Sequence, residues 1–149
     1  MQDNQILLLK LHPLVQKGLD LDSYHHIRPF PSELDTYDVL NACDVLITDY
    51  SSVMYDFANT GRKIILFAYD LEDYMGHRGM YEDIRSYPFP IIRTPEALLA
   101  ELRNPGGSAD REFLDKYCSF DRQQAARNIC RHVLLGKYLC QEHRMPVTT

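Results

Sequence analysis

The sequence contains no long hydrophobic run. Its longest uncharged apolar stretches, Ile6–Leu9 and Ile64–Tyr69, fall far short of the roughly 20 residues that span a membrane as a helix. No signal peptide is expected either, since Met1–Asn4 is polar and acidic and no apolar core follows. Basic charge is in deficit. Sixteen Lys and Arg against 21 Asp and Glu leave a net charge of −5, which argues against general nucleic-acid binding and against a strongly electrostatic membrane anchor. Cysteine is sparse, and Cys43, Cys118, Cys130 and Cys140 form no C-x-x-C pair. Zinc and redox-motif spacings are therefore missing, and reduced thiols are expected. Glycine-rich phosphate loops are missing as well. Without G-x-x-x-x-G-K-[ST] the chain is not read as a P-loop NTPase, and without G-x-G-x-x-G it is not read as a nicotinamide enzyme. No metal and no cofactor is expected.

What is present is an ordinary globular composition. The chain has 149 residues, 45% of them hydrophobic and 25% charged, enough for one domain with a core that needs no disulfide staples. That domain is expected over residues 1–140, with a flexible tail over 141–149.

Along the chain, short apolar runs alternate with helical patterns. Strands are predicted at Ile6–Leu11, His25–Phe30, Val45–Thr48, Lys63–Ala68 and Pro90–Ile92. Leu14–Leu19 reads as a short helix, and Ser32 as the N-cap of a helix through Ala42. Ser51 or Ser52 opens a helix to about Asn59, which Gly61 ends. Asp70–Pro88, rich in Tyr, Asp, Gly and Arg, reads as a long functional loop. Thr94-Pro95 starts a further helix, and two more follow at about Ala109–Tyr117 and Arg122–Leu139. Strands separated by helices predict an α/β fold with a parallel sheet covered on both faces.

Such sheets bind ligands at the carboxyl ends of their strands, which selects the loops at His12-Pro13, Phe30–Ser32, Thr48–Ser52 and Ala68–Tyr81. In Asp44–Ser52 a strand runs into a polar turn and a helix start, where unpaired N–H groups and the hydroxyls of Ser51 and Ser52 suit a diphosphate. A plain helix cap explains either serine alone; two together at a strand end put a site and a cap on nearly equal terms. Asp56, one turn further on, is placed to accept from ribose or glycerol hydroxyls, although a solvated carboxylate is the commoner case. His12 closes the first strand beside Lys10, where an imidazole can protonate or hold a leaving phosphate. Arg78 lies where it can pair with phosphate, at about even odds with a solvated arginine. His25, His26 and His77 are weaker candidates.

Four segments, in order, carry a resemblance. They are Lys10-Leu11-His12-Pro13, Asp44 through Asp56, Ile64 through Tyr74, and Arg78-Gly79-Met80-Tyr81. Together they resemble the CDP-glycerol glycerophosphotransferase family, the teichoic acid polymerases and primases of bacterial wall synthesis. The resemblance runs over about Leu8–Tyr81 and more loosely to Arg127. It implies a Rossmann-like domain like the C-terminal, donor-binding half of a two-domain GT-B enzyme. It further implies transfer of glycerol or ribitol phosphate from a CDP-activated donor to a polyol-phosphate acceptor, with release of CMP. The full enzyme is then cytoplasmic and in peripheral contact with the membrane.

Residue by residue, Lys10 and His12 match the family's basic-x-His-Pro position, with His12 catalytic. Ser51, Ser52 and Asp56 match donor contacts, Pro31 and Ser32 border the nucleotide, and Arg78 matches the arginine of an Arg-Gly-Phe-Tyr motif. The family's Trp-His-Gly-Thr motif, with a second catalytic histidine, has no counterpart in a chain without tryptophan, and Asp121 is followed by Arg122 where the family has Asp-Gly. The resemblance therefore implies a fragment, a truncated product or half of a split enzyme, inactive alone. A non-catalytic nucleotide-binding module and a different GT-B nucleotide-sugar enzyme are the alternatives.

Overall fold

The computed structural model of the chain describes residues 5–11, 20–21, 23–104, 106–121 and 123–135. Every strand pairing among them is parallel. Strand β1 (Leu7–Leu9) runs beside β2 (Ile27–Pro29), with Leu7 opposite Ile27 and Leu9 opposite Pro29. Strands β3 (Val45–Thr48), β4 (Lys63–Phe67) and β5 (Ile91–Ile92) form a second sheet in that order, with Val45 opposite Lys63 and Leu66 opposite Ile91.

The expectation of one sheet containing four of the predicted strands is thus met by two hydrogen-bonded sheets. The outer edge of β2 is itself closed to further pairing. Pro29 has no N–H to give, and the Arg28 guanidinium occupies the carbonyls of Ile27 at 2.8 Å and Tyr24 at 3.0 Å. Little of β2 is left to recruit a third strand.

Among the described residues six helices connect and flank these strands: α1 (Thr36–Ala42), α2 (Val53–Ala58), α3 (Leu71–His77), α4 (Pro95–Glu101), α5 (Arg111–Tyr117) and α6 (Ala125–Leu135). Two sequence expectations need correction. Helix α1 does not begin at Ser32. Asp35 caps it by accepting from the Tyr37 N–H at 2.8 Å, while Ser32 lies in a turn closed by Leu34 N–H to the Pro31 carbonyl at 3.3 Å. An ionised carboxylate next to the first helical residue outcompetes a hydroxyl further back. Nor is Asp70–Pro88 a structureless loop. It holds α3 and a 3-10 turn over Ile84–Ser86, which Asp83 caps through the Arg85 N–H at 2.9 Å. Leu71 and Ile84, both fully buried, anchor these two elements in an otherwise polar stretch.

The start of α4 follows the sequence reading, with the Thr94 hydroxyl accepting from the Ala97 N–H at 3.3 Å and Pro95 in the first helical position. Helix α5 starts two residues later than expected, behind an Asp110 cap that takes the Phe113 N–H at 2.8 Å. The predicted Leu14–Leu19 helix, the last residues of the predicted Arg122–Leu139 helix and the predicted tail lie outside the described residues.

The core forms around β4 and α2. Met54, Phe57 and Ala58 pack with Ile64, Leu66 and Ala68, and with Leu71, Ile84, Phe89, Phe113 and Cys118. Ile65 is also fully buried. It is out of phase with Ile64 and Leu66 and faces the other side of the sheet, so both faces of β4 are covered. At the start of β4 the Lys63 ammonium donates to the Glu101 carboxylate and carbonyl, each at 2.7 Å, and to the Asn104 carbonyl at 2.6 Å. Lys63, and then Asn104, hold the Glu101 carboxyl below the usual carboxylate range. The edge of β4 is completed by Gly107, whose carbonyl accepts from the Ile64 N–H at 2.9 Å. Gly107 has φ +103°, and a Cβ there would meet Pro90 Cδ at 3.1 Å and the Ile64 carbonyl oxygen at 3.3 Å. Only glycine fits this approach.

Candidate functional site

Parallel pairing brings the carboxyl ends of β1 and β2 to one end of their sheet, and those of β3, β4 and β5 to one end of theirs. The candidate residues follow immediately: Lys10 after β1, Pro31 and Ser32 after β2, Ser51 and Ser52 after β3. Arg78 comes at the far end of α3, the helix that follows β4. His12 lies outside the described residues.

Side-chain contacts, together with chain neighbours, connect the described candidates. The Lys10 ammonium donates to the Thr36 hydroxyl at 2.7 Å and lies 4.2 Å above the Phe30 ring, next to Pro31 and Ser32 in the chain. This fixes the end of β1 to the end of β2 and the first residue of α1. From the next residue of α1, the Tyr37 hydroxyl reaches Asp56 on α2 at 3.5 Å. Helix α2 begins directly behind the serine pair. Ser51 accepts weakly from the Val53 N–H at 3.4 Å, and the Ser52 side chain makes no capping bond. Both serines and Asp56 are exposed. With only six residues, α2 has a small dipole, so the serine hydroxyls matter more here than the sequence alone implies.

The link from this turn to Arg78 runs through three residues that the sequence reading passed over. The Tyr50 hydroxyl donates to Asp70 at 2.7 Å, and the Tyr50 ring stacks on Tyr74 with centroids 3.7 Å apart and planes 18° apart. The Arg78 guanidinium lies over the Tyr74 ring, 5.9 Å from its centroid. Burial, then the hydrogen bond to Asp70, push the Tyr50 phenol well above its ordinary value, so it stays protonated and keeps donating. The signal that marks this group is the i, i+4 spacing of Tyr74 and Arg78, which carries meaning only once 71–77 is recognised as helix.

Two other histidines, His26 and His77, meet backbone carbonyls. His26 Nδ1 is 3.2 Å from the Gln5 carbonyl, and His77 Nδ1 is 2.8 Å from the Asp73 carbonyl one turn back. Among the described residues no three His, Cys, Asp or Glu side chains gather as a metal site, and Cys43, Cys118 and Cys130 are unbridged. Burial pushes the Cys118 thiol up. No helix among the described residues is long and apolar enough to cross a membrane.

Residues 1–135 match the family model described as CDP-Glycerol:Poly(glycerophosphate) glycerophosphotransferase. The chain belongs to this family. Its curated relatives include a teichoic acid ribitol-phosphate polymerase, TarL, of Staphylococcus aureus, 30% identical over 137 residues, covering 89% of this chain and 24% of the relative. A teichoic acid poly(glycerol phosphate) polymerase of Staphylococcus epidermidis is 35% identical over 136 residues, covering 85% of this chain and 19% of the relative. Among solved structures, a variant of the wall teichoic acid polymerase TagF superimposes with a TM-score of 0.75 at 32% identity, over 90% of this chain and 35% of that one. The same polymerase variant soaked with CDPG superimposes at 0.73. The α/β fold with parallel sheets thus matches part of a teichoic acid polymerase, and the chain spans about a third or less of the length of these relatives.

Proposed function

We propose that this chain is a Rossmann-like, donor-binding part of a polyol-phosphate transferase, resembling the C-terminal half of a GT-B enzyme. It would bind CDP-glycerol or CDP-ribitol and serve the extension of a teichoic-acid-like poly(polyol phosphate) with release of CMP. The observation that carries the reading is the serine turn. Two exposed hydroxyls follow β3, with Asp56 one turn on and Arg78 joined to the same turn through Tyr50 and Tyr74, in a chain of the glycerophosphotransferase family. In this reading Ser51, Ser52, Arg78 and Lys10 hold the diphosphate, Asp56 accepts from sugar or polyol hydroxyls, and Pro31 and Ser32 border the nucleotide.

His12 is assigned to the leaving CMP, donating a hydrogen bond to its phosphate or countering its charge. Attack on the donor's β-phosphate also needs the acceptor hydroxyl deprotonated on the opposite, in-line side. One imidazole does not reach both sides, so the acceptor and its base belong to a further domain. The 149-residue chain alone is therefore expected to bind donor without forming polymer. Relatives named for ribitol phosphate and for glycerol phosphate are similarly close, which leaves both donors in the proposal. Peripheral attachment of the whole enzyme to the inner face of the membrane belongs to the same reading.

Calorimetry with CDP-glycerol, CDP-ribitol and a UDP-sugar tests the assignment. Binding selective for a CDP-polyol is expected, and replacing Ser51 and Ser52 together by Ala should weaken it by about 1–3 kcal/mol. Unchanged binding by that double variant, or preference for the UDP-sugar, would sink the reading.

A further inference from the structure

Tyr74 and Arg78 stand four residues apart, one helical turn along α3 and on one face of it. The turn is fixed from both ends. The Tyr74 carbonyl accepts the Arg78 N–H at 2.9 Å and the Gly79 N–H at 3.3 Å, and Gly79 takes φ +67°, where the chain leaves the helix. The same residue's ring holds the guanidinium on one side of the contact and stacks on Tyr50 in the other. Tyr50 is itself pinned at its hydroxyl by Asp70, which immediately precedes α3, and in sequence it is the residue before Ser51. Asp70, Tyr50 and Tyr74 therefore form a closed ring of contacts between α3 and the serine turn, completed by the Tyr74 N–H to the Asp70 carbonyl at 2.9 Å, and Arg78 hangs from it through Tyr74. An exposed arginine on a flexible stem otherwise samples many rotamers, and ordering it on binding costs side-chain entropy.

We propose that Tyr74 is a positioning residue, which presets the Arg78 guanidinium relative to the Ser51–Ser52 turn and so raises affinity for a nucleoside diphosphate. Its ligand rests on the donor-site reading above; its geometry does not. Tyr74 touches no phosphate itself. It acts by removing freedom from Arg78, and the ring rather than the hydroxyl is the working part. Tyr74→Phe should then retain the function, and Tyr74→Leu should lose it.

The test uses the full chain with CDP-glycerol as probe in calorimetry, and side-chain NMR of Arg78 without ligand. Arg78→Ala should weaken binding by roughly 10- to 100-fold, the scale of a charge-assisted phosphate contact. Tyr74→Leu should weaken it by about two- to fivefold, the scale of a cation–π contact at an exposed site. Tyr74→Phe should bind like the parent. The Tyr74→Leu, Arg78→Ala double variant should bind no worse than Arg78→Ala alone, because the effect passes through the arginine. In the free protein, ring-current shifts on the Arg78 side chain should persist in Tyr74→Phe and vanish in Tyr74→Leu.

Additive losses in the double variant, normal binding by Tyr74→Leu, or Arg78 resonances indifferent to Tyr74→Leu each overturn the proposal. If the parent chain binds no CDP-glycerol, the donor-site reading falls instead, and the NMR arm alone decides whether Tyr74 positions Arg78.

Discussion

The two sheets of this molecule are built to different standards. Around β4 a dozen side chains are sealed from solvent, on α2, α5 and the loops as well as the strand. Around β1 and β2 none of the described residues 5–11 or 20–35 is fully buried, and Ile6, Leu8, Tyr24 and Leu34 are exposed. The candidate residues are shared between these halves. Ser51, Ser52, Asp56 and Arg78 grow from the sealed half; Lys10, Pro31 and Ser32 grow from the thin one. The buried core thus resides in one sheet, whereas the candidate site draws on both.

The contrast should be largest in the cores. Leu66→Ala is expected to cost about 2–5 kcal/mol in urea unfolding, against less than about 1 kcal/mol for Leu8→Ala. Equal costs would break the comparison. Gly107→Ala should come next, at about 1–3 kcal/mol, because φ is positive and both Pro90 and the β4 backbone stand in the way. A melting temperature equal to the parent's would show that the edge of β4 adapts.

Lys63→Met should cost a similar or smaller amount, about 1–3 kcal/mol, by removing the ammonium that the Glu101 carboxylate and the Glu101 and Asn104 carbonyls share. Its pH dependence sharpens the point. The folded state depresses the Glu101 pKa. The stabilisation it gives is therefore complete above the unfolded carboxylate value, near 4.3, and is lost as pH falls through the folded value. Parent and Lys63→Met stabilities should converge on acidification below about pH 4 in denaturant titrations. A gap that is constant from pH 7 to pH 3, on the order of the same kcal/mol, would remove the ion pair from the account.

The smallest stability effect belongs to the thin half. Lys10→Ala should change unfolding by less than about 0.5 kcal/mol, as exposed polar contacts do. It should still weaken CDP-glycerol binding about fivefold or more. A stability loss as large as that of Lys63→Met would place Lys10 in the framework instead of the site.

Legibility followed the strength of local signals. Thr94-Pro95 states a helix start in two residues, and the apolar run from Lys63 could only be a buried strand. The serine turn after β3 was readable because strand, polar turn and helix fall within one short stretch. What failed was local structure carried by a single contact. Helix α3 buries only Leu71 fully, so its seven residues present too little periodicity to outweigh a loop-like composition. Missing that helix hid the Tyr74–Arg78 pair. Ser32 and Asp35 are both good caps on paper, and backbone geometry chose between them. The closing of the outer edge of β2 by the Arg28 side chain is something no sequence pattern announces.

The parallel order β3–β4–β5 also has a kinetic side. Val45 meets Lys63 and Leu66 meets Ile91 only after an intervening helix, or more, has been looped out. Such pairings wait on loop closure, so the sheet should form late in folding. Until then Ile64–Phe67, the segment best suited to strand pairing between molecules, stands uncovered. Arg62 and Lys63 directly before it, and Asp70 soon after, put charge at both ends of that segment. The lysine that anchors the folded strand is thereby also a gatekeeper of the unfolded one, and its loss should lower the yield of refolding at high protein concentration.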